Sequence, residues 1–230
     1  MNASEYTIFL TIGGLVLLLL LLISFAQKYQ AYQMQKEITL RRMLRSVRAI
    51  EDNLDKVRGA AIPHELSVAL RKEILARYMA MRQIHKNIQD IGADLDQAQR
   101  QLSAAEAAGR TVRQAVSDRV VLNNYVNGIS GLIGYLYENN RIAAIGKTEK
   151  EQFINQLADL RIDYLEDFHS REGRGLARQE LWADAMAHYK ELLHALHALT
   201  PITRHTNELI ERTNIAYKQV SLHQVPDDPG

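Results

Sequence analysis

The chain opens with an uninterrupted apolar segment, which sets its first predicted element. Tyr6 to Ala26 holds 21 residues without a charged side chain. As a helix this segment would be about 31 Å long, which matches the roughly 30 Å hydrocarbon core of a bilayer. A cleaved signal peptide is the alternative, because Ser24-Phe25-Ala26 resembles a cleavage site. The flank before the segment carries Glu5 and neither Lys nor Arg, so we expect residues 1–26 to be a retained transmembrane anchor.

Apolar residues after the anchor recur at alternating spacings of three and four, the pattern of a coiled-coil helix. One seam runs from Leu40 to Val57 and a second from Met81 to Ala105, with a break at Gly59 to Pro63 between them. This arrangement predicts an antiparallel helical hairpin, or stalk, over residues 27–109. The seams can equally pair with a second copy of the chain. The residues proposed for this interaction seam are Leu40, Met43, Val47, Ile50, Leu54, Val57, Ile84, Ile88, Ile91, Leu95 and Leu102.

The second seam is longer than the first, and this difference predicts an uncovered edge. If the second helix continues unbroken past the early eighties, the stretch from Ile88 to Ala105 passes the start of the first seam. It then reaches back towards the membrane beside Lys28 and Lys36. An uncovered apolar edge usually marks an interface, so we expect self-association or binding of a partner there.

Residues 110–222 have the pattern of a helical bundle. Gly128, Gly131 and Gly134 recur every three residues, which on a helix makes a strip where a neighbouring helix can approach closely. Three further helices are predicted at 148–170, 176–199 and 201–222, with a break at Gly173 to Gly175. Residues 223–230 complete the chain as a flexible tail. The predicted fold class is therefore all-α, with a transmembrane helix, a coiled-coil-like hairpin stalk and a C-terminal bundle.

Composition and charge narrow the functional classes. The chain has 12 Gly, 4 Pro and no Cys, which favours long helices and excludes disulfides, thiolate catalysis and cysteine-based metal sites. The net charge is +1, and no aromatic residues interleave the basic cluster Arg41, Arg42, Arg45 and Arg48, which disfavours nucleic-acid binding. Residues 27–46 contain five cationic side chains and residues 1–5 none. The positive-inside rule therefore predicts a single-pass protein of the inner membrane, with its N-terminus outside and its C-terminal part cytoplasmic.

Gly146-Lys147-Thr148 has the closing residues of a phosphate-binding loop. Arg141 stands where that loop requires its first glycine, and no strand-like segment precedes it. Thr148 and Glu151 instead have the spacing of a helix capping box, with Gly146 ending the preceding helix in a left-handed conformation. We therefore predict a joint between helices and no bound cofactor.

The late histidines raise the question of a metal centre. Glu166 with His169 and Glu191 with His194 have the Glu-x-x-His spacing of di-iron helical bundles. Glu191 and His194 fall opposite the Leu192–Leu196 seam of their helix, so exposed histidines without a metal are the preferred interpretation. A di-iron enzyme is the least favoured of three functional hypotheses, and no catalytic residues are predicted.

Two resemblances bear on function. The segment LWADAMAHYKELLHAL, residues 181–196, resembles the second helix of a tetratricopeptide repeat, with Trp182, Ala185 and Tyr189 in the aromatic and small positions of that family. This resemblance implies a helical protein-binding surface. The layout of the Tyr6–Ala26 span followed by two heptad seams resembles the bitopic coiled-coil inner-membrane proteins of bacterial envelope assemblies.

These patterns predict a structural or adaptor protein that scaffolds an assembly at the cytoplasmic face of the inner membrane. The expected partners are the lipid bilayer and other protein chains, in a homo-oligomer or a multiprotein complex, with no nucleic acid. A signal-transducing protein is the alternative, because a membrane helix running into a coiled stalk can transmit rotation or sliding.

Overall fold

The structure of the chain is a computed structural model that describes residues 3–84, 89–109, 113–139, 142, 145–199, 202 and 204–226, with the side chains of residues 3–13, 16, 89 and 90 left out. The described residues form seven α-helices and no β-strand, which confirms the all-α prediction. The helices are α1 (Ala3–Lys56), α2 (His64–Ile84), α3 (Gln89–Ala107), α4 (Arg119–Glu138), α5 (Lys147–Arg178), α6 (Trp182–Ala198) and α7 (Arg204–Ser221).

Each of the first three helices runs antiparallel to the helix before it. The guanidinium of Arg77 on α2 donates to the hydroxyl of Ser46 on α1, so α2 runs back along α1. Lys72 on α2 and Glu106 on α3 form an ion pair at 3.2 Å, which shows that α3 reverses again. The turn between α1 and α2 includes Gly59, whose φ of 93° is strained for any residue with a side chain.

The second predicted seam is therefore divided between two helices. Met81 and Ile84 lie at the end of α2, whereas the residues from Ile91 to Ala105 lie on α3. Ile88 is outside the described residues. Because α3 returns towards the start of α2, it does not reach back towards Lys28 and Lys36. The prediction of an uncovered apolar edge beside the membrane is therefore wrong. Gly92, a poor helix former, follows shortly after the change of direction.

One apolar core connects all seven helices. Helix contacts follow the order α3–α2–α1–α4–α5–α6–α7, with α7 also contacting α5. Large fully buried side chains come from both sides of residue 110 and include Ile50, Leu66, Leu70, Leu132, Leu136, Leu157 and Ile162. The predicted helical bundle is confirmed. The division into a stalk and a bundle stays a prediction, and the core cluster spans the proposed boundary.

The glycine strip on α4 lies against α1. A Cβ atom added at Gly128 would lie 2.7 Å from Cγ1 of Val57 and 2.8 Å from Cβ of Lys56, and one at Gly131 would overlap the side chain of Asn53. Gly134 has open space around the same position. The predicted close approach of two helices is confirmed at the first two glycines and is not seen at the third.

The predicted break at Gly173 to Gly175 is wrong, because α5 continues without interruption to Arg178. Gly173 has a packing role instead of a turn role. A Cβ atom at this position would lie 2.8 Å from Cε2 of Tyr189 on α6, so the absent side chain makes room for that ring. The helix ends at the following segment, where Glu180 has a φ of 62°.

The predicted capping box at Thr148 and Glu151 is also wrong in register. Helix α5 starts at Lys147, and Gly146 is its N-cap with φ −72° and ψ 161°, which is extended and not left-handed. The carboxylate of Glu149 accepts the N–H of Gly146 at 3.2 Å, so the reciprocal half of the box lies two residues earlier than predicted. Arg141 lies outside the described residues.

Candidate functional site

The N-terminal part of α1 presents apolar side chains to solvent. Leu15, Leu17 to Ile23 and Phe25 are each 49–79% exposed. Every described side chain from Gly14 to Gln35 is exposed, and the first fully buried residue of α1 is Val47. Folded soluble chains seldom expose a contiguous apolar patch of this size, so this surface is a candidate for contact with another phase or molecule.

The transmembrane prediction rests partly on residues outside this description. Among the described residues, no helix is long and apolar enough to span a membrane. The predicted span also includes residues 6–13 and Val16, whose surface exposure is not described.

The basic cluster lies on the exposed side of α1. Arg41, Arg42, Arg45 and Arg48 are exposed, and a guanidinium nitrogen of Arg41 lies 2.6 Å from a carboxylate oxygen of Glu37 one turn earlier. Closer to the apolar segment, the ammonium of Lys36 lies 4.5 Å from the ring centre of Tyr32. These contacts are local to the helix and are typical of a solvated face.

The structure packs most of the proposed interaction seam within the chain itself. Val47, Ile50, Leu54 and Val57 are buried between α1 and its neighbours, and Ile91 is buried on α3. Leu40, Met43 and Leu95 are partly buried against the same core, and Ile84 and Leu102 are also partly buried. The seam positions are therefore largely used to hold this chain together, and pairing of the seam with a second chain stays a prediction.

A polar groove runs between α1, α2 and α3. Its lining includes Glu51, Arg71, Tyr78 and Asp94. Burial raises the pKa of Glu51, and the carboxylate of Asp94 adds to the effect. Burial, with smaller contributions from Glu51 and Asp94, raises the pKa of Tyr78 to about 12. The phenol of Tyr78 therefore keeps its proton at neutral pH and can donate a hydrogen bond within the groove.

The histidine of the first Glu-x-x-His motif lies beside the glutamate of the second. His169 on α5 is buried, with 5% of its surface exposed, and its Nδ1 lies 3.8 Å from Oε2 of Glu191 on α6. The prediction that these histidines are exposed is wrong for His169 and holds for His194. Glu166 lies instead beside Arg212, at 3.7 Å.

Sequence reasoning overlooked the part played by His188. It precedes Glu191 by three residues, so the two side chains share one face of α6, and its ring centre lies 5.5 Å from that of His169. The sequence signal for this pair is the His-x-x-Glu spacing of His188 and Glu191. The burial of His169 had no local signal, because it depends on how α5 and α6 pack together.

Comparison with known proteins gives no family for this chain. No protein-family model, no curated protein and no solved structure matches it.

Proposed function

We propose that the chain is a membrane-anchored structural or adaptor protein. In this proposal the N-terminal part of α1 enters the lipid bilayer, and the helical body holds partner proteins at the cytoplasmic face of the inner membrane. The observation that carries the proposal is the run of exposed apolar side chains from Leu15 to Phe25. Removing apolar surface from water gains roughly 25 cal/mol per Å², so a run of leucines this long needs an apolar environment.

The angular distribution of these side chains favours lipid over a protein partner. Leu17 to Leu22 are six consecutive residues, each at least 50% exposed. Because successive residues of a helix are about 100° apart, six of them cover the whole circumference. A coiled-coil partner would cover one stripe of such a helix, whereas lipid surrounds it.

In the sequence, the uncharged segment continues towards the N-terminus. The uncharged run starts at Tyr6, eight residues before the described side chains start at Gly14. The full run of 21 residues has the length of a bilayer-spanning helix, for which about 20 apolar residues suffice.

The continuity of α1 supports a mechanical role for the anchor. The helix runs from Ala3 to Lys56 without a break, and its C-terminal part belongs to the core. Ala26 and Val47 are separated by about 30 Å along the axis at 1.5 Å per residue. The body would thus be held away from the bilayer by a rigid spacer. The five cationic side chains in residues 27–46 favour the cytoplasmic side for this body.

Flotation with lipid vesicles tests the anchor. The full-length chain, mixed in detergent with phosphatidylcholine and phosphatidylglycerol and then freed of detergent, is expected to float with the vesicles and to resist extraction at alkaline pH. Leu18→Glu combined with Leu21→Glu should shift most of the protein to the soluble or aggregated fraction. An acidic residue at the centre of a membrane helix costs about 2.5–3.5 kcal/mol.

Gln33→Glu with Gln35→Glu is the matched control, because it adds the same charge to exposed positions of the same helix. This control should float like the parent chain. A parent chain that remains in the soluble fraction would refute the anchor. In cells, a reporter fused after Gly230 should behave as cytoplasmic, and activity of a reporter that works only in the periplasm would refute the orientation.

A further inference from the structure

A small polar cluster lies between α5 and α6, far along the chain from the proposed anchor. His169 comes from α5, and His188 and Glu191 come from one face of α6. One ligand atom from each of the three side chains lies within 4.8 Å of the other two. Two imidazole nitrogens and one carboxylate oxygen are the donor set of many three-residue zinc sites.

One ring nitrogen of each histidine in this cluster lacks a partner. Among the described residues, Nδ1 of His169 and Nδ1 of His188 are buried and have no hydrogen-bond partner. The 3.8 Å between Nδ1 of His169 and Oε2 of Glu191 is too long for a hydrogen bond. A buried polar atom without a partner is destabilising, so two of them side by side point to a ligand that the protein atoms do not supply.

The protonation state of His169 suits a metal. Burial lowers the pKa of His169 to about 4, with further lowering from His188 and Arg119. Its imidazole is therefore neutral at pH 7, the form that binds metal ions. One oxygen of Glu191 is held by Arg119 at 2.5 Å, which leaves Oε2 directed at His169.

A second cluster of the same residue types serves as an internal comparison. Asp163, Glu166 and His205 also lie within 4.8 Å of one another. There the polar atoms are engaged, because Nε2 of His205 lies 3.1 Å from Asp163 and Glu166 lies 3.7 Å from Arg212. The hydrogen bond between His205 and Asp163 and the ion pair between Glu166 and Arg212 thus engage these side chains, in contrast to the unpartnered nitrogens of the first cluster.

We propose that His169, His188 and Glu191 bind a divalent transition-metal ion of the zinc class. Zinc bonds of about 2.0–2.1 Å place neighbouring ligand atoms roughly 3.4 Å apart in a tetrahedral site, so small side-chain rotations suffice to close the set. His169 and Glu191 also line a surface pocket that includes His194, which offers room for a water molecule as a further ligand. Metal binding would link α5 to α6 by coordinate bonds, in addition to the apolar contacts between the two helices.

Cobalt absorption and zinc titration test the site in the full-length, metal-free chain. CoCl₂ should produce visible bands of a low-coordinate site at one ion per chain, and ZnCl₂ should displace them. His188→Ala should weaken zinc binding by at least about 100-fold and Glu191→Gln by at least about 10-fold, since even indirect partners of metal ligands contribute 10–100-fold. Glu191 is 44% exposed, so its substitution leaves folding intact.

Two controls separate this site from nonspecific binding. His205→Ala changes the second cluster and His194→Ala changes an exposed neighbour, and both should bind one zinc ion as the parent chain does. The inference is overturned if the parent chain shows no cobalt bands at millimolar metal. It is also overturned if binding survives His188→Ala and Glu191→Gln, or depends on His205.

Discussion

The two ends of α1 place similar residues in opposite environments. Ile38 is 57% exposed, whereas Ile50, twelve residues further along the same helix, is fully buried. Before Val47 the helix has apolar residues that the rest of the chain leaves uncovered, and after it the apolar residues meet α2 and α4. The difference teaches that an apolar pattern becomes a core only where other helices pack against it.

The largest difference between the two ends should appear in stability. Ile50→Ala is expected to lower the free energy of unfolding by about 2–5 kcal/mol, because it removes buried methyl groups and leaves a cavity. Ile38→Ala makes the same chemical change at an exposed position and should change stability by less than about 0.5 kcal/mol. Urea unfolding of the detergent-solubilised chain, followed by circular dichroism, measures both. Equal losses for the two variants would mean that the exposed end of α1 is covered by something in solution.

The covered side of α1 can be tested from α4. Gly128→Ala should destabilise the chain by about 1–3 kcal/mol, since the new methyl group meets Val57 and Lys56 at 2.7–2.8 Å. Gly134→Ala is the matched control on the same helix, where the added methyl group has open space. Alanine is the better helix former, so this control should gain up to about 1 kcal/mol. Thermal unfolding of both variants compares them, and a stabilising Gly128→Ala would contradict the close contact.

The smallest expected effect concerns the charge of Glu51 at the buried end. Because burial raises its pKa in the folded chain, its contribution to stability is complete below the unfolded value and is lost as the pH rises through the folded value. Glu51→Gln should therefore raise stability at pH 7 by less than about 1 kcal/mol, given the partial solvent screening of this side chain. The gain should vanish near pH 4.

Glu37→Gln supplies the comparison at the exposed end. It removes a solvent-exposed ion pair with Arg41 and should cost about 0.2–0.5 kcal/mol at pH 7. Urea unfolding at pH 4, 5.5 and 7 measures both variants. A loss of stability for Glu51→Gln at pH 7 would show that its carboxylate is stabilised by the groove.

Patterns local to one helix were predicted well from the sequence. The helical class follows from the scarcity of glycine and proline, and the contact at Gly128 follows from a three-residue spacing. Helix boundaries were predicted less reliably, because a glycine can either end a helix or make room for a neighbouring side chain. Gly173 resembles a helix breaker in the sequence, but it makes room for Tyr189, a residue sixteen positions later that no local pattern connects to it.

The histidine cluster could not be predicted for a related reason. The sequence of one helix shows only which residues share a face of that helix. On α6, Glu191 lies opposite the apolar seam. The packing of α5 against α6 brings His169 to it, and that packing is a property of two helices together. The prediction of the second seam failed in the same way, since the sequence between the end of α2 at Ile84 and the start of α3 at Gln89 contains no proline or glycine.

The contact between Val57 on α1 and Gly128 on α4 has a consequence for how the chain is made. About 70 residues separate the two positions, which a ribosome adds in on the order of 4–14 s at roughly 5–20 residues per second. During that interval the buried face of α1 has been synthesised and its cover has not. In a nascent chain with this order of elements, α2 or a chaperone must therefore cover the apolar face of α1 until α4 emerges.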